Sequence, residues 1–296
     1  MNNDRMTIQE EKRSRYVGRF LDYAEETFSS IRTKSPLADS MKYSFFAGGK
    51  RIRPALMLAV TDMLGGDTEE VLPFAFALEC IHTSSLIHDD LPALDNDTLR
   101  RGKPTNHVAF GEANAVLAGD ALMNLAYETG LSACDNEKKV RCMKLLADHT
   151  GYGGMLGGQG EDVEWEKSKK NGTADESALL EIDSLKTGKL LTVPFAIPAI
   201  LYAEDKLPIF LKIGSLFGRI FQFADDVADV TSSSSRLGKS VGKDEKEGKL
   251  TAVSVYGIDG AKARIRKDSD ELKKLIKSLD NSDILEYFLK GVTEEI

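Results

Sequence analysis

The sequence predicts an all-α protein that folds as one domain, residues 1–296. Apolar residues recur at three- and four-residue spacing between charged ones along most of the chain, a pattern typical of amphipathic helices. No segment of strict apolar–polar alternation is long enough to predict a strand. No linker rich in glycine, proline or serine divides the chain, and no repeat of fixed period is present.

Proline, glycine and capping residues set the boundaries of the predicted helices. Pro36 opens a short helix, and Pro54 is expected at the first position of another, because proline suits that position. Thr173 and Glu176 form a capping box that opens a later helix. The predicted helices span residues 5–31, 36–47, 55–64, about 69–91, 112–132, 136–156, 173 onward, 190–203, 205–230, 258–278 and 281–291.

Two polar stretches are predicted to be loops. Residues 163–172 are expected to be an exposed loop, and residues 231–249 a mobile one. The second stretch contains Lys239, Lys243 and Lys249, so it is expected to close over a bound phosphate as a lid.

Composition and charge exclude several classes of protein. A formal charge of −8 and the absence of basic patches interleaved with aromatics argue against nucleic-acid binding. Three cysteines without a C-x-x-C pair predict reduced, buried thiols in a cytoplasmic compartment. Neither a signal peptide nor a membrane-spanning segment is expected, because the longest apolar run, residues 190–203, is short and contains two prolines.

The chain is organised around residues 81–104, where an apolar helix ends in Asp89 and Asp90. Pro92 biases the preceding residue away from the α region and ends this helix. On an unbroken helix Asp95 would point about 240° away from Asp89, but a turn at Pro92 brings it back. Carboxylates beside Arg100 and Arg101 suggest a site for Mg²⁺ and a phosphorylated ligand. The alternative is a solvated, charged helix end.

A second acidic cluster favours the functional interpretation. Asp225 and Asp229 are four residues apart on one predicted helix face, with Asp226 between them. Like charges at this spacing repel each other, so the arrangement is unfavourable without a cation. Two such clusters within apolar helices therefore predict a metal site.

Three further segments carry candidate ligand groups. G-G-K-R-I-R-P, residues 48–54, places three cations next to glycines and a helix N-terminus, which suits an anion, although such loops are usually solvated. Lys186-Thr187-Gly188-Lys189 predicts either a helix surface or a kink that exposes a carbonyl and an ammonium group. Gln159 and Asp162, among glycines, are candidates for lining a ligand space, and His82 alone is more typical of packing.

These segments together resemble the trans-prenyl diphosphate synthases. H-D-D-L-P-A-L-D-N-D-T-L-R-R-G-K-P-T is similar to the first aspartate-rich motif of the bacterial form, and D-D-V-A-D to the second. G-G-K-R-I-R-P resembles the isopentenyl diphosphate site, and K-T-G, F-Q and L-G-K resemble allylic-site elements. The order matches from about residue 36 to 257. The resemblance implies the isoprenoid synthase fold, a bundle of long helices around a deep central cavity, in a homodimer of the farnesyl or geranylgeranyl type.

The resemblance also assigns roles to individual residues. Mg²⁺, with an expected three ions per active site, is held by Asp89, Asp95 and Asp225. Asp90, Asp226, Asp229 and Lys186 complete the catalytic set. Isopentenyl diphosphate is expected at Lys50, Arg53, His82 and Arg101. The allylic diphosphate is expected at Arg100, Lys186, Thr187, Gln222 and Lys239.

The floor of the substrate pocket is expected at Ser84 and Ser85, four and five residues before Asp89. Farnesyl-forming relatives commonly have an aromatic residue at one of these positions. Two small residues therefore favour a C20 over a C15 product, unless Met123 or Phe76 fills the space. Thr98 replaces an aspartate of many relatives, at a position outside the expected ligands.

Rival interpretations remain at this point. A metal phosphohydrolase, suggested by His82 and the His88-Asp89 pair, needs more histidine ligands than His107 and His149 supply. A terpene cyclase has no use for the cations of residues 48–54. A non-catalytic or heteromeric subunit of a prenyl synthase usually lacks one aspartate cluster, and here both are present.

Overall fold

The structure, a computed structural model, describes residues 2–31, 34–168, 175–231 and 249–294. Most of these residues are helical, so the all-α prediction is confirmed. One short hairpin, absent from the prediction, pairs Leu99–Arg100 antiparallel with Lys103–Pro104.

The helices are labelled α1 to α13 in chain order. They are α1 (Asn2–Ser30), α2 (Pro36–Phe45), α3 (Ile52–Met63), α4 (Thr68–Asp89), α5 (Asn106–Phe110), α6 (Glu112–Ser132), α7 (Glu137–Thr150), α8 (Met155–Lys167), α9 (Glu176–Asp183), α10 (Lys189–Tyr202), α11 (Leu207–Thr231), α12 (Ala252–Ile276) and α13 (Asp283–Thr293). A π-helical turn, Ser184–Gly188, joins α9 to α10, and a 3₁₀ turn, Glu204–Lys206, precedes α11.

Helix α4 lies at the centre of the bundle. Apolar residues of α4 lie all around the helix, as expected of a helix that is buried among others. It packs most extensively on α6, and also on α3 and α10. Phe76 of α4 lies against Phe28 of α1 and Phe45 of α2, with ring centroids 5.6 and 5.4 Å apart. Phe76 is therefore engaged with α1 and α2.

Two helices are long and apolar enough to cross a membrane by length and hydropathy alone. These are Thr68–Asp89 and Glu204–Thr231, whose apolar windows are 72% and 50% buried. Both pack inside the bundle, the first on α6 and the second on α10 and α12. Their apolar character is accounted for by the helices packed against them.

The predicted start of α3 is wrong by two residues. Arg51, with φ 48°, is its N-terminal cap, and the helix begins at Ile52 rather than at Pro54. Proline is tolerated there because the first backbone N–H groups of a helix have no intrahelical partner.

The single helix predicted over residues 136–156 is two helices. α7 ends at Thr150, and α8 continues to Lys167 through part of the predicted loop 163–172. The glycine turn between them is tight, because a Cβ on Gly154 would lie 2.2 Å from the His149 carbonyl oxygen. Residues 169–172 and the predicted capping residue Thr173 lie outside the described part, and Asp175 caps α9 instead.

The C-terminal half agrees more closely with the prediction. α10 contains Pro194 and Pro198, as expected for a buried helix with prolines, and α11 matches its predicted range. α12 starts at Ala252, earlier than predicted, with Thr251 in a capping box and a break at Gly257. The cysteines are free thiols, of which Cys80 and Cys142 are buried and Cys134 is partly exposed.

The contact between α10 and α11 gives a test of packing. A Cβ on Gly214 would lie 2.7 Å from the Thr192 Cα, so Gly214→Ala should push the helices apart and lower the free energy of unfolding by about 1–3 kcal/mol. Gly18→Ala, where nothing lies within 4 Å, should instead raise it by about 0.5–1 kcal/mol. Urea denaturation measures both, and equal effects would contradict the packing argument.

Candidate active site

The first aspartate cluster lies where α4 ends and the chain turns back. α4 ends at Asp89, with Asp90 as its C-terminal cap, close to the predicted break at Pro92. The backbone N–H of Asp95 then donates to the carbonyl of Asp89, with N and O 2.9 Å apart. The turn returns Asp95 to Asp89, which is the arrangement that the proline predicts.

Asp89 occupies a poorly solvated position among charged groups. Burial raises the pKa of Asp89 to about 6, the Lys186 ammonium acts to lower it, and the Asp95 carboxylate acts to raise it. Two carboxylates placed this way favour a cation close to both of them.

Asp90 and Arg100 form an ion pair behind this turn. Nε of Arg100 donates to both carboxylate oxygens of Asp90, at 2.8 and 2.9 Å, and Asp90 is buried. Nη2 of Arg100 lies 2.7 Å from the same carboxylate. The pair fixes the hairpin to the end of α4 and uses part of the guanidinium that was expected to bind the allylic diphosphate.

The second aspartate cluster divides into exposed and buried members. Asp225 is exposed on α11, whereas Asp226 and Asp229 are buried. One oxygen of Asp226 accepts from Gln222 Nε2 at 2.8 Å, and the other accepts from the Ala252 N–H at 2.7 Å. Asp226 therefore anchors the start of α12 to α11, which the sequence did not indicate.

The K-T-G segment forms a π-helical turn between α9 and α10. Lys186 Nζ lies 2.5 Å from Asp162 Oδ2, and Thr187 Oγ1 donates to Gln222 Oε1 at 2.7 Å. Gly158 of α8 allows this approach, because a Cβ there would lie 2.3 Å from the Lys186 backbone nitrogen. The segment is thus an irregular, π-helical part of the helix, and Asp162 is one of the polar residues beside it.

Lys186 connects the surroundings of the two aspartate clusters. Its ammonium acts on the pKa of Asp89, at the end of α4. It also acts to lower the pKa of Asp183. Burial and, after it, the charges of Asp226 and Asp162 raise that pKa to about 8. Asp183 was not predicted from the sequence, because its importance comes from neighbours on other helices.

A second lysine also reaches the first cluster. Lys249 Nζ lies 3.1 Å from Asp95 Oδ1. Lys249 belongs to the polar segment predicted to carry phosphate-binding lysines, although it was not assigned to the site. Lys239, which was assigned, lies outside the described residues.

The cations of residues 48–54 meet Arg101 from the hairpin. Arg101 lies against Gly49, where a Cβ would be 2.6 Å from its Cζ, and it donates to the Gly48 carbonyl. Burial lowers the pKa of Arg53 to about 10, and its Nε has no hydrogen-bond partner among the described residues. Lys50 is exposed beside them. An orphaned buried donor among cations suits an anionic ligand.

His82 lies within the same group. Burial lowers the pKa of His82 well below its usual value, and the neighbouring guanidinium groups lower it further. These groups belong to Arg53, Arg101, Arg100 and Arg51. The structure thus brings together Arg53, His82 and Arg101, three of the four residues expected to bind isopentenyl diphosphate, and the fourth, Lys50, is exposed on the adjoining loop.

Ser84 and Ser85 lie one turn before Asp89 on α4. Ser84 is fully buried, and its hydroxyl has no hydrogen-bond partner among the described residues. The Ser85 hydroxyl donates to the His82 carbonyl at 2.9 Å.

The donor groups fit a hard cation that is shared with a ligand. Asp89 and Asp95 lie together at the end of α4, and Asp225 is an exposed carboxylate on α11. Within the described ranges, no three carboxylate, imidazole or thiol groups are close enough to hold a metal by themselves. Mg²⁺ commonly takes one or two carboxylates and completes its shell with water and phosphate oxygens.

Comparison with known proteins identifies the class. Residues 34–290 match the polyprenyl synthetase family, so the chain belongs to that family. It is 42% identical over 271 residues to a geranylgeranyl diphosphate synthase of Cyanophora paradoxa, which covers 89% of each chain. It is 41% identical over 249 residues to a farnesyl diphosphate synthase of Micrococcus luteus, which covers 83% of this chain and 84% of the relative.

A solved structure agrees over nearly the whole chain. A geranyltransferase from Helicobacter pylori, complexed with magnesium and isoprenyl diphosphate, superimposes with a TM-score of 0.80 at 29% identity. The match covers 94% of this chain and 96% of that one. The expected isoprenoid synthase architecture is therefore confirmed.

Neighbouring aspartates of α11 should respond differently to substitution. Each carboxylate oxygen of Asp226 accepts one hydrogen bond, from the Ala252 N–H or from the Gln222 amide. Asp226→Asn replaces one of these oxygens with an NH₂ donor, so the free energy of unfolding should fall by about 1–3 kcal/mol. Asp225→Asn, on the exposed side, should change it by less than about 0.5 kcal/mol. Thermal denaturation compares the two, and equal losses would refute the structural role of Asp226.

Proposed function

We propose that this enzyme joins isopentenyl diphosphate head-to-tail to an allylic diphosphate and releases diphosphate. The allylic substrates are dimethylallyl and geranyl diphosphate, and farnesyl diphosphate where elongation continues. The products are farnesyl (C15) or geranylgeranyl (C20) diphosphate. The observation that supports this most is the presence of two unlike anion sites. One, at Lys50, Arg53, His82 and Arg101, is cationic, and the other combines carboxylates with Lys186.

The carboxylate site is suited to the allylic diphosphate. Bound Mg²⁺, proposed as three ions on Asp89, Asp95 and Asp225, supplies charge for the leaving diphosphate. In this proposal Lys186 and Lys249 donate to the same oxygens, which is supported by their contacts with the carboxylates of Asp162 and Asp95. Their charges stabilise the electrons that leave with diphosphate when the C–O bond breaks.

The polar groups between the helices are suited to the allylic cation. Thr187 and Gln222 are hydrogen-bonded to each other at the π-helical turn, so their oxygen atoms have fixed positions. The double bond of isopentenyl diphosphate attacks the cation and forms the new C–C bond. The adjacent carbon then loses a proton to the released diphosphate, so no protein base is required.

The cationic pocket holds the other substrate without a metal. Neutral His82 and the guanidinium groups of Arg53 and Arg101 are donors for its diphosphate. This pocket favours a synthase over a terpene cyclase, which uses one diphosphate. A phosphohydrolase lacks support because His88 contacts the Val116 carbonyl and the Asp120 carboxylate, and His107 contacts Thr105.

We further propose that the enzyme is a cytoplasmic homodimer. The outward side of α6 exposes Val116, Leu117 and Leu131, which are 41%, 53% and 54% exposed. Apolar side chains along one helix are suited to self-association. Light scattering that gave a monomeric mass would refute this.

The reaction is tested with purified enzyme, labelled isopentenyl diphosphate, geranyl diphosphate and Mg²⁺. Labelled C15 or C20 alcohols should appear after dephosphorylation, and EDTA should abolish them, because the carboxylates alone do not stabilise the leaving group. Phosphate release without elongation would support a hydrolase. Activity only with a second chain would support the heteromeric subunit.

Product length is tested at the proposed floor. Ser84→Tyr should shorten the main product, because a phenol ring would extend from a fully buried position one turn before Asp89. Ser278→Tyr, the same substitution at an exposed serine outside the proposed floor, serves as the control. Chromatography of the dephosphorylated products measures length, and an unchanged distribution in a folded Ser84→Tyr enzyme would refute the floor assignment.

A further inference from the structure

Arg51 and Glu79 form a buried ion pair beneath the cationic pocket. Nη1 of Arg51 donates to Oε1 of Glu79 at 2.7 Å, and the two side chains are only 4% and 3% exposed. Nη2 of Arg51 donates to the Phe45 carbonyl, and the guanidinium lies 5.2 Å from the centre of the Phe45 ring. Arg51 is therefore directed into the protein, unlike its neighbour Lys50, which is exposed.

The backbone around Arg51 has an unusual conformation. Gly48, Gly49 and Arg51 have φ values of 99°, 112° and 48°, and only the two glycines adopt such values without a steric cost. A non-glycine residue stays in the left-handed region when surrounding contacts hold it there. The contacts with Glu79 and Phe45 hold Arg51.

This conformation determines where the pocket cations lie. Lys50 precedes Arg51, and Arg53 follows two residues later in the first turn of α3. The Ala55 N–H donates to the Arg51 carbonyl at 3.1 Å, so the start of α3 depends on Arg51. A change in the Arg51 backbone would therefore redirect Lys50 and Arg53 together.

Glu79 also balances the charge of the pocket. It lies on α4 one turn before His82, on the same side of the helix. Its carboxylate acts to raise the pKa of Arg53, against burial and against the charge of Arg101. Because it is buried and bonded to Arg51, Glu79 supplies this charge without lying exposed toward an arriving diphosphate.

We propose that Glu79 is a positioning residue that acts through Arg51 to hold Lys50 and Arg53 in place for the diphosphate of the homoallylic substrate. The inference rests on the proposed function. It divides the arginines of residues 48–54 into Arg51, which organises the loop, and Arg53, which faces the ligand.

The test is steady-state kinetics with each substrate varied in turn. Glu79→Gln keeps the shape and one acceptor oxygen but removes the charge, and a buried arginine without its partner is unfavourable. The KM for isopentenyl diphosphate should rise on the order of tenfold, because a displaced binding group loses its alignment. The KM for geranyl diphosphate and kcat should stay within about twofold.

A partly buried ion pair elsewhere, with side chains 35% and 9% exposed, provides the control. Arg219 on α11 donates to both oxygens of Asp268 on α12, at 2.6 and 2.9 Å, outside the cationic pocket. Asp268→Asn should lower the Tm, as Glu79→Gln does, but should leave both KM values unchanged. If Glu79→Gln raised both KM values alike, or left the KM for isopentenyl diphosphate unchanged, the proposal would be overturned.

A double variant tests whether Glu79 acts through Arg51. Arg51→Gln alone should raise the same KM, and Arg51→Gln with Glu79→Gln should raise it no further than the larger single effect, since the two residues act as a pair. A double variant whose increase in KM equals the product of the two single increases would overturn the proposal. Arg51→Lys keeps the charge but cannot donate to both Glu79 and the Phe45 carbonyl, so it should also raise the KM for isopentenyl diphosphate. This variant replaces Glu79→Gln in the test if Glu79→Gln folds poorly. Wild-type enzyme that makes no elongated product would refute the proposed function itself, a separate result.

Discussion

Repulsion between like charges held close together is the constraint on which this structure depends. Carboxylates gather at the ends of α4 and α11, and guanidinium groups gather around His82. Either cluster would be unfavourable alone, because a partly buried site screens charges poorly. The protein offsets the repulsion with ion pairs between separate segments of the chain. These pairs are Asp90 with Arg100, Asp162 with Lys186, Asp95 with Lys249, and Glu79 with Arg51.

Close helix packing makes these pairs possible. A Cβ on Gly158 would strike the Lys186 backbone, and a Cβ on Gly218 would lie 2.8 Å from the Gly188 Cα. Glycine at these positions lets α8 and α11 approach the π-helical turn from two sides. The turn inserts one residue into the helical path, which reorients the following side chains. The bundle thus places one lysine between two acidic helix ends.

Local patterns predicted much of the fold and the residue types of the site, but they did not predict contacts between distant residues. Periodicity gave α6 and α11, and Pro92 indicated the return of Asp95. The break after Thr150 was missed because several glycines can lie within or between helices. Arg51 and Arg53 look alike in sequence. Their roles differ because Glu79, 28 residues beyond Arg51 in the chain, is hydrogen-bonded to Arg51 and not to Arg53.

The ion pairs of the two lysines have a further consequence for binding. Lys186 and Lys249 contact Asp162 and Asp95, so a diphosphate that recruits them must replace carboxylate contacts. The exchange would move the Lys249 ammonium from Asp95 toward the diphosphate. The cationic pocket differs, because Glu79 is bonded to Arg51, whereas Nε of Arg53 has no hydrogen-bond partner among the described residues. A diphosphate beside Lys186 and Lys249 would therefore have to exchange ion-pair partners, whereas one beside Arg53 would meet a donor that has no partner among the described residues.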